Sequence, residues 1–319
     1  MEPARARLPL GDGDHAFGRP VGRLGLLHPL DRAVAGVDVT SVGRLLGHRG
    51  WWRWLASALL LSFVLGPFYW IVNIALTPEA QSFTQTIRYV PTTLTIDNFF
   101  GILEVVRFGR AFVNSVGIAL AVTALSIALS ITAAYAFARY TFRGRRLLIV
   151  SLLLIYLLPG ILLLVPMMVI FRTLGILNTY PALILAEATH SVPFAIWLLT
   201  NYFASLPREL EEAAQVDGCT RVGAMLRVAL PLAVPGVVAA ALFVFIASWN
   251  NFLFAFMFTS GDDVRTLPVL LRMFVMGESG VYWGKVMAGA VMTTLPVAGA
   301  FLFFQQYLIR GLSAGAVKG

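Results

Sequence analysis

The chain has 319 residues, of which 58% are hydrophobic and only 13% are charged, and its mean hydropathy is +0.80. These values exclude an ordinary soluble domain and indicate a protein that crosses a membrane several times. The net charge of +8 is therefore attributed mainly to basic residues that orient membrane helices, rather than to nucleic-acid binding.

Residues 1–50 are rich in Gly, Arg and Asp and contain no sustained apolar run, which predicts a flexible cytoplasmic tail. A secretory signal would need a short apolar core near its start, and these residues have none. The first long apolar run is therefore expected to remain as a membrane anchor. Trp51, Trp52 and Trp54 precede that run and predict an aromatic belt at the membrane surface.

Six apolar runs follow, each near the roughly 20 residues that a helix needs to cross the hydrocarbon core. The runs are apolar throughout instead of alternating, which favours helices over a closed β-barrel. The sequence thus predicts an all-α, polytopic membrane protein with six transmembrane helices. The predicted spans are Leu55–Leu76, Phe112–Ala138, Leu147–Phe171, Tyr180–Phe203, Ala233–Phe258 and Val286–Leu308. Kinks are predicted at the interior prolines Pro159, Pro166, Pro193 and Pro296.

Basic residues concentrate in alternate connections, and acidic residues offset them in the connections between. Positive charge near helix ends is retained in the cytoplasm, so both termini are predicted to be cytoplasmic. The basic residues predicted to lie inside are Arg44, Arg49, Arg53, Arg139, Arg143, Arg145, Arg146, Arg208, Arg221, Arg227, Arg310 and Lys318.

The sequence predicts no catalytic residues and no metal site. Cys219 is the single cysteine, and the four histidines lack the spacing of metal ligands. A phosphate-binding loop is also missing, because Ser279 and Val286 occupy the positions around Gly284-Lys285 where the motif needs Gly and Ser or Thr. We therefore expect no cofactor in this chain, and energy that comes from an ion gradient or from a partner ATPase.

The connection between the fourth and fifth spans, at about residues 204–232, predicts a structured loop. Pro207 suits a helix start, and acidic residues in the first turn, Glu211 and Glu212 among them, favour a helix over 208–215. Asp217-Gly218 predicts a turn in which glycine takes a positive φ, and a second short helix is expected before Pro231. A plain surface connection is the alternative, but so long a structured loop favours a site that docks a partner.

Residues Glu212-Ala213-Ala214, Asp217-Gly218-Cys219 and Leu230-Pro231-Leu232 resemble the EAA loop of binding-protein-dependent ABC importer permeases. Further segments resemble the carbohydrate permeases of the maltose and trehalose type. These segments are Ala134-Tyr135-Ala136-Phe137-Ala138-Arg139, Ser248-Trp249-Asn250-Asn251-Phe252 and the C-terminal 311–319. The resemblance covers residues 54–319, with Cys219 where the family commonly has Ala.

This resemblance implies a type I ABC importer permease (MetI-like) fold, with the permease domain at 51–310 and a cytoplasmic tail at 311–319. It implies four kinds of partner: a homologous permease subunit, an ATPase dimer that binds ATP and Mg²⁺, an extracytoplasmic sugar-binding protein and the lipid bilayer. The coupling residues it implies are Glu211, Glu212, Ala213, Ala214, Asp217 and Gly218, with Glu212 facing a basic residue of the ATPase. The regulatory C-terminal contacts it implies are Gly315, Val317, Lys318 and Gly319.

A sugar pathway needs amides and carboxylates for hydroxyl groups and aromatic rings for the apolar faces of sugar rings. Intramembrane polar residues are candidates for it, because they are costly to place there without a role. The candidates are Trp249, Asn250, Asn251, Glu187, Thr189, His190, Ser191, Asn114 and Ser115. The alternatives are hydrogen bonds between helices, or a partner permease that holds the sugar alone.

Three other functions are weighed against a sugar importer. An ion-coupled secondary transporter would use Glu187 and His190 as a proton relay, but it leaves the EAA-like loop without a role. An ABC permease could instead carry a peptide, a polyamine or an anion. A purely structural scaffold would not need kinked helices with buried polar residues.

Overall fold

The computed structural model describes residues 51–82, 89–105, 108–275 and 282–316, with side chains described up to Tyr307. The predictions for residues 1–50 and for Val317, Lys318 and Gly319 fall outside the described residues. The described secondary structure is helical throughout. The chain divides into two units, Met1–Val64 and Leu65–Gly319.

The described residues form twelve α-helices. The first six are α1 Trp51–Ala75, α2 Asp97–Val105, α3 Phe108–Arg139, α4 Arg145–Leu157, α5 Gly160–Thr173 and α6 Tyr180–Ser205. The other six are α7 Glu209–Val216, α8 Arg221–Ala224, α9 Leu230–Trp249, α10 Leu253–Phe258, α11 Leu267–Val275 and α12 Trp283–Ala316. A 3₁₀ turn at Glu79–Gln81 follows α1, and a π-helical turn at Met225–Ala229 joins α8 to α9.

Five helical segments of the described chain are long and apolar enough to cross a membrane, and a sixth crossing results if the bent pair α4 and α5 counts as one. The all-α polytopic architecture predicted from the sequence is therefore confirmed. The first unit contributes the start of α1, where Trp51, Trp52 and Trp54 are exposed and the Arg53 guanidinium lies 5.5 Å from the Trp52 ring. That arrangement suits an interfacial aromatic belt.

The third predicted span is not one helix. The run Leu147–Phe171 is divided between α4 and α5, which meet at an angle of 95°. Pro159 has no N–H to donate, and it forces Leu158 into an extended conformation with ψ of 130°. Prolines 166, 193 and 296 lie inside helices without such a break.

The fifth predicted span, Ala233–Phe258, is also interrupted. Helix α9 ends at Trp249 and α10 begins at Leu253. The side chain of Asn251 supports the start of the second helix, because its Oδ1 accepts a 3.1 Å hydrogen bond from the Phe254 N–H. The polar residues at this break are therefore held where the helix axis is interrupted.

Helices α3 and α6 form the centre of the second unit, and α9 lies against both of them. One buried cluster fills the region towards α10 and α11, with Val122, Leu183, Val244 and Phe254 among its members. A second cluster lies at the opposite end of α3 and α6, around Tyr135, Leu199 and Phe203. This second cluster supports the loop that carries α7.

Candidate functional site

The loop after α6 folds much as its sequence predicts. Helix α7 begins two residues after Pro207 and runs from Glu209 to Val216, within one residue of the predicted range. Gly218 has a φ of +93°, which confirms the predicted turn. The turn is closed by the Gly218 N–H, which donates to the Gln215 carbonyl at 3.1 Å, and by the Cys219 N–H, which donates to the Ala214 carbonyl at 2.9 Å.

The second short helix predicted before Pro231 is found as α8, and it is continuous with the membrane helix that follows. Helix α8 starts with Thr220 as its cap, whose Oγ1 accepts a 3.0 Å hydrogen bond from the Gly223 N–H. It then continues through the π-helical turn directly into α9. The backbone hydrogen bonds therefore remain helical past the loop, and a displacement of the turn would act directly on a membrane-spanning helix.

Glu211 lies inside the protein, and its carboxylate forms an internal ion pair. The Arg139 guanidinium lies 2.6 Å from Glu211 Oε1, and both side chains are only 7% exposed. The Arg139 Nε donates to the same oxygen at 2.8 Å, and the Tyr135 hydroxyl donates to Oε2 at 2.6 Å. Both carboxylate oxygens are thus satisfied by groups on α3.

The two partners of Glu211 lie one helical turn apart on the last two turns of α3, so they share one face. Two further bonds cross the same junction. Arg139 Nη2 donates to the Leu206 carbonyl at 3.2 Å, and Arg208 Nη2 donates to the Ala138 carbonyl at 3.1 Å. The end of α3 and the start of α7 are therefore held together by a buried charge pair and by reciprocal arginine contacts. We call the set Tyr135, Arg139 and Glu211 the α3–α7 clamp.

The other predicted coupling residues lie on the outside of the loop. Glu212, Ala213, Asp217 and Gly218 are exposed, and Ala214 is half-buried. Glu212 makes no hydrogen bond or ion pair with another described residue, and it borders a shallow cleft of about 280 Å³ with Arg208 and Arg221 at its edge. The loop therefore presents an acidic group that is free to meet a partner.

The same loop also carries exposed apolar side chains. Leu210, Val216 and Val222 are 47%, 88% and 62% exposed. A contact that combines one carboxylate with such apolar residues suits a partner that offers a basic residue in an apolar cleft. The sequence predicted Glu212 as a contact residue, but it did not predict the exposed apolar residues Leu210, Val216 and Val222.

Several predicted pathway residues instead hold helices together. Asn114 Nδ2 donates to the carbonyls of Asp263 and Arg265, each at 2.9 Å, and its Oδ1 accepts from the Tyr180 hydroxyl. The Ser115 hydroxyl accepts from the Leu267 N–H. Asn114 therefore ties α3 to α6 and to the segment before α11. These contacts fit the alternative in which such a polar residue bonds neighbouring elements instead of a sugar.

Trp249 and Glu187 are also buried and bonded within the chain. The Trp249 indole N–H donates to the Thr293 carbonyl at 3.2 Å. Glu187 on α6 accepts a hydrogen bond from the Ser248 hydroxyl on α9. The carboxylate therefore bonds to Ser248 and not to His190. A proton relay between Glu187 and His190 would need a direct contact that these two residues do not make.

Asn250 and His190 are placed differently, because they line open cavities. One cavity of about 360 Å³, here the aromatic cavity, is lined by Tyr156, His190, Ser191, Phe194, Phe243, Val244, Ile246, Ala247 and Asn250. A second cavity of about 300 Å³, here the threonine cavity, is lined by Trp249, Asn250, Leu267, Pro268, Leu271, Thr293, Thr294 and Val297. Asn250 borders both, whereas Thr189 is exposed but borders neither.

The predicted C-terminal contact is described only at Gly315. That residue lies in α12, which continues to Ala316, well beyond the predicted end of the sixth span at Leu308. The regulatory role of Gly315 stays a prediction.

The sequence did not predict the α3–α7 clamp or the aromatic side of the aromatic cavity. The sequence predicts Arg139 as a cytoplasmic basic residue and places it with Tyr135 in a family-like segment, but it does not pair them with Glu211, which lies more than 70 residues later in the chain. A basic residue at the end of a span and an acid in a neighbouring loop are common, so sequence alone does not pair them. Tyr156 and Phe194 read as ordinary apolar residues within their spans.

Residues 126–314 match the family described as binding-protein-dependent transport system inner membrane component. The chain is 40% identical over 265 residues to the trehalose transport system permease protein SugB of Mycobacterium tuberculosis, an alignment that covers 82% of this chain and 96% of that protein. It is 34% identical to the trehalose/maltose transport system permease protein MalG of Thermococcus litoralis, over 83% of this chain and 96% of the relative.

Among solved structures, the fold is similar to a chain of a bacterial ABC transporter involved in the import of the acidic polysaccharide alginate. The TM-score is 0.67 with 21% identity, over 89% of this chain and 99% of that chain. At this identity the likeness concerns the fold alone.

Proposed function

Because the chain belongs to the family of binding-protein-dependent transport system inner membrane components, we propose that it is one permease subunit of an ATP-driven importer for a sugar. The sugar is a disaccharide, an oligosaccharide or an amino sugar. The chain is a membrane component without catalytic chemistry of its own, and a partner ATPase would bind ATP and Mg²⁺. It would lie in the cell (inner) membrane with both termini in the cytoplasm.

The observation that carries this proposal is the loop around α7, which is fixed to α3 on its inner side by Glu211 and leaves Glu212 exposed on its outer side. The proposed partners are a homologous permease, two ATPase subunits and an extracytoplasmic sugar-binding protein. The names of relatives that carry trehalose or maltose support the sugar class.

In the proposed mechanism, ATP closes the ATPase dimer and moves the docked α7 loops of the two permeases together. Glu211 passes this movement to α3 through Arg139 and Tyr135, while the π-helical turn passes it to α9. The helix bundles of the two permease subunits then rock as rigid bodies between inward-open and outward-open states. ATP and the loaded binding protein drive this change only if both bind the outward-open state more tightly than the resting state.

The test is sugar uptake into proteoliposomes that contain this chain, its partner permease and the ATPase, with purified binding protein outside. Trehalose, maltose and N,N′-diacetylchitobiose are offered in turn, with ATP inside the vesicles. We expect uptake of at least one sugar that requires internal ATP and continues when a protonophore collapses the proton gradient. Uptake that needs the gradient but not ATP would overturn the proposal, and so would an intact complex that takes up none of the three sugars.

A further inference from the structure

The aromatic and threonine cavities adjoin at the break between α9 and α10, and Asn250 forms part of both walls. Each volume is at the lower end of the range for small-molecule sites. Tyr156 lies 11 residues after the start of α4 at Arg145, which is about 16 Å along the helix axis. The aromatic cavity is therefore well removed from the basic start of α4, by a distance comparable to half of a hydrocarbon core of about 30 Å.

The aromatic cavity combines a continuous ring surface with an unsatisfied polar atom. The Tyr156 and Phe194 rings are stacked with centroids 5.3 Å apart, and Phe243 meets Phe194 edge-on at 5.9 Å. His190 lies 5.1 Å from the Tyr156 ring, and its buried Nδ1 has no hydrogen-bond partner among the described residues. A ligand with an apolar face would pack against these rings, and a small rotation of the His190 ring would bring its unpartnered nitrogen to a ligand hydroxyl.

The threonine cavity has the same mixed character on the other side of Asn250. The Thr293 and Thr294 hydroxyls donate to the Ala290 carbonyl at 2.9 and 2.8 Å. A hydroxyl that donates internally keeps lone pairs that can accept a hydrogen bond from a ligand. Leu267 and Pro268 supply an apolar side to this cavity.

Asn250 uses only part of its hydrogen-bonding capacity within the chain. Its Nδ2 donates to the Ile246 carbonyl at 2.9 Å, which leaves a second N–H and the Oδ1 for other partners. The side chain is exposed at the break that separates two apolar helices. An exposed amide within a membrane-spanning region is costly against lipid and is expected to face a water-filled pathway or a ligand.

We propose that the two cavities are ring subsites of this chain for a carbohydrate cargo with at least two rings, and that Asn250 hydrogen-bonds to the cargo where the rings join. One ring packs against Tyr156 and Phe194 with a hydroxyl at His190. The next ring lies against Thr293 and Thr294. This inference rests on the proposed function, and it assigns sugar contacts to this subunit instead of leaving them to the partner permease alone.

The experiment compares two cavity variants with two matched controls in the complete reconstituted complex. Asn250→Ala is matched by Asn201→Ala, another exposed amide that donates to the carbonyl four residues earlier, at 3.0 Å, and borders neither cavity. Thr294→Val is matched by Thr132→Val, another exposed hydroxyl that donates within its own helix. Trehalose, maltose and N,N′-diacetylchitobiose are the probes, and the readout is sugar transported per ATP hydrolysed.

We expect Asn250→Ala to lower sugar transported per ATP roughly five- to tenfold, because one or two hydrogen bonds to the cargo are lost. The ATPase response to loaded binding protein should persist, since the loop around α7 is untouched. A merely structural defect would lower ATPase activity and transport together. Both controls should stay within about twofold of wild type, a change of less than roughly one ordinary hydrogen bond.

Equal transport per ATP in all four variants would overturn the subsites while leaving the importer intact. A wild-type complex that transports none of the sugars would instead remove the proposed function, and the subsites with it. If Asn250→Ala does not assemble, the sugar transported per ATP hydrolysed by Thr294→Val, compared with Thr132→Val, tests the subsites.

Discussion

Replacing Arg139 with Ala is expected to destabilise the chain by about 3–5 kcal/mol, because it leaves the carboxylate of Glu211 buried without its cationic partner. The two side chains are each only 7% exposed, and the Tyr135 hydroxyl is the other group that donates to this carboxylate through its side chain. The loss should appear as a shortened half-life of the detergent-solubilised chain at a fixed elevated temperature.

A matched control is available on the same helix. Arg110 forms an ion pair of 2.8 Å with Asp263, close in length to the clamp, but its side chains are 48% and 70% exposed. Water screens such a pair, so Arg110→Ala is expected to cost no more than about 1 kcal/mol. Equal half-lives for Arg139→Ala and Arg110→Ala would contradict the structural role of the clamp.

A double variant separates loss of the charge pair from loss of packing. Arg139→Met combined with Glu211→Leu removes both charges and keeps apolar volume, so much of the lost stability should return. Transport should not return with it, because the hydrogen bonds of the clamp are then missing and only the Arg208 contact to α3 remains. A double variant that restores full sugar uptake would show that the pair stabilises the loop without transmitting movement.

The second large effect is expected at Glu212, whose replacement by Ala should abolish most of the ATPase stimulation by loaded binding protein. The carboxylate is exposed and makes no bond to another described residue, so the stability of the chain itself should be unchanged. Truncating one member of a desolvated charge pair at an interface typically costs about 2 kcal/mol or more, which corresponds to roughly thirtyfold or more in coupled activity.

Glu209→Ala is the control for this prediction. Glu209 is also exposed, lies in the first turn of the same helix and contributes similarly to the helix dipole. It lies outside the segment that resembles the EAA motif, so its replacement should leave stimulation nearly intact. If both variants lose stimulation to the same extent, a general loss of negative charge on α7 would explain the result and the specific role of Glu212 would be wrong.

The sequence predicts the helices well because a span requires a long uninterrupted apolar run, and few other structures satisfy the backbone inside lipid. The helix α7 and the turn at Gly218 are likewise predicted by local signals: a proline at the start, acids in the first turn and a glycine at positive φ. These features depend on neighbours in the chain and therefore remain visible without the fold.

The breaks at Pro159 and Asn250 were harder to predict. A proline predicts a kink, but tertiary contacts set its size. At Pro159 the break allows Gly160 to lie beside Phe254 and Leu253 of α10, at distances that would still admit a Cβ.

The polar residues near Trp249 posed a different problem, because a side chain that bonds another helix and one that lines a cavity have the same signature in a sequence. Only the contacts distinguish Asn114 from Asn250.

The central claim is that the loop around α7 docks a partner ATPase, and Cys219 allows a direct measurement. This residue is the single cysteine of the chain, lies one position after Gly218 and is half-buried. The rate at which a maleimide modifies Cys219 is measured by mass spectrometry of this chain, first for the paired permeases alone and then after the ATPase is added. We predict a rate at least several-fold slower in the full complex, since docking would cover the turn. An unchanged rate in a complex that is shown to be assembled would contradict the claim.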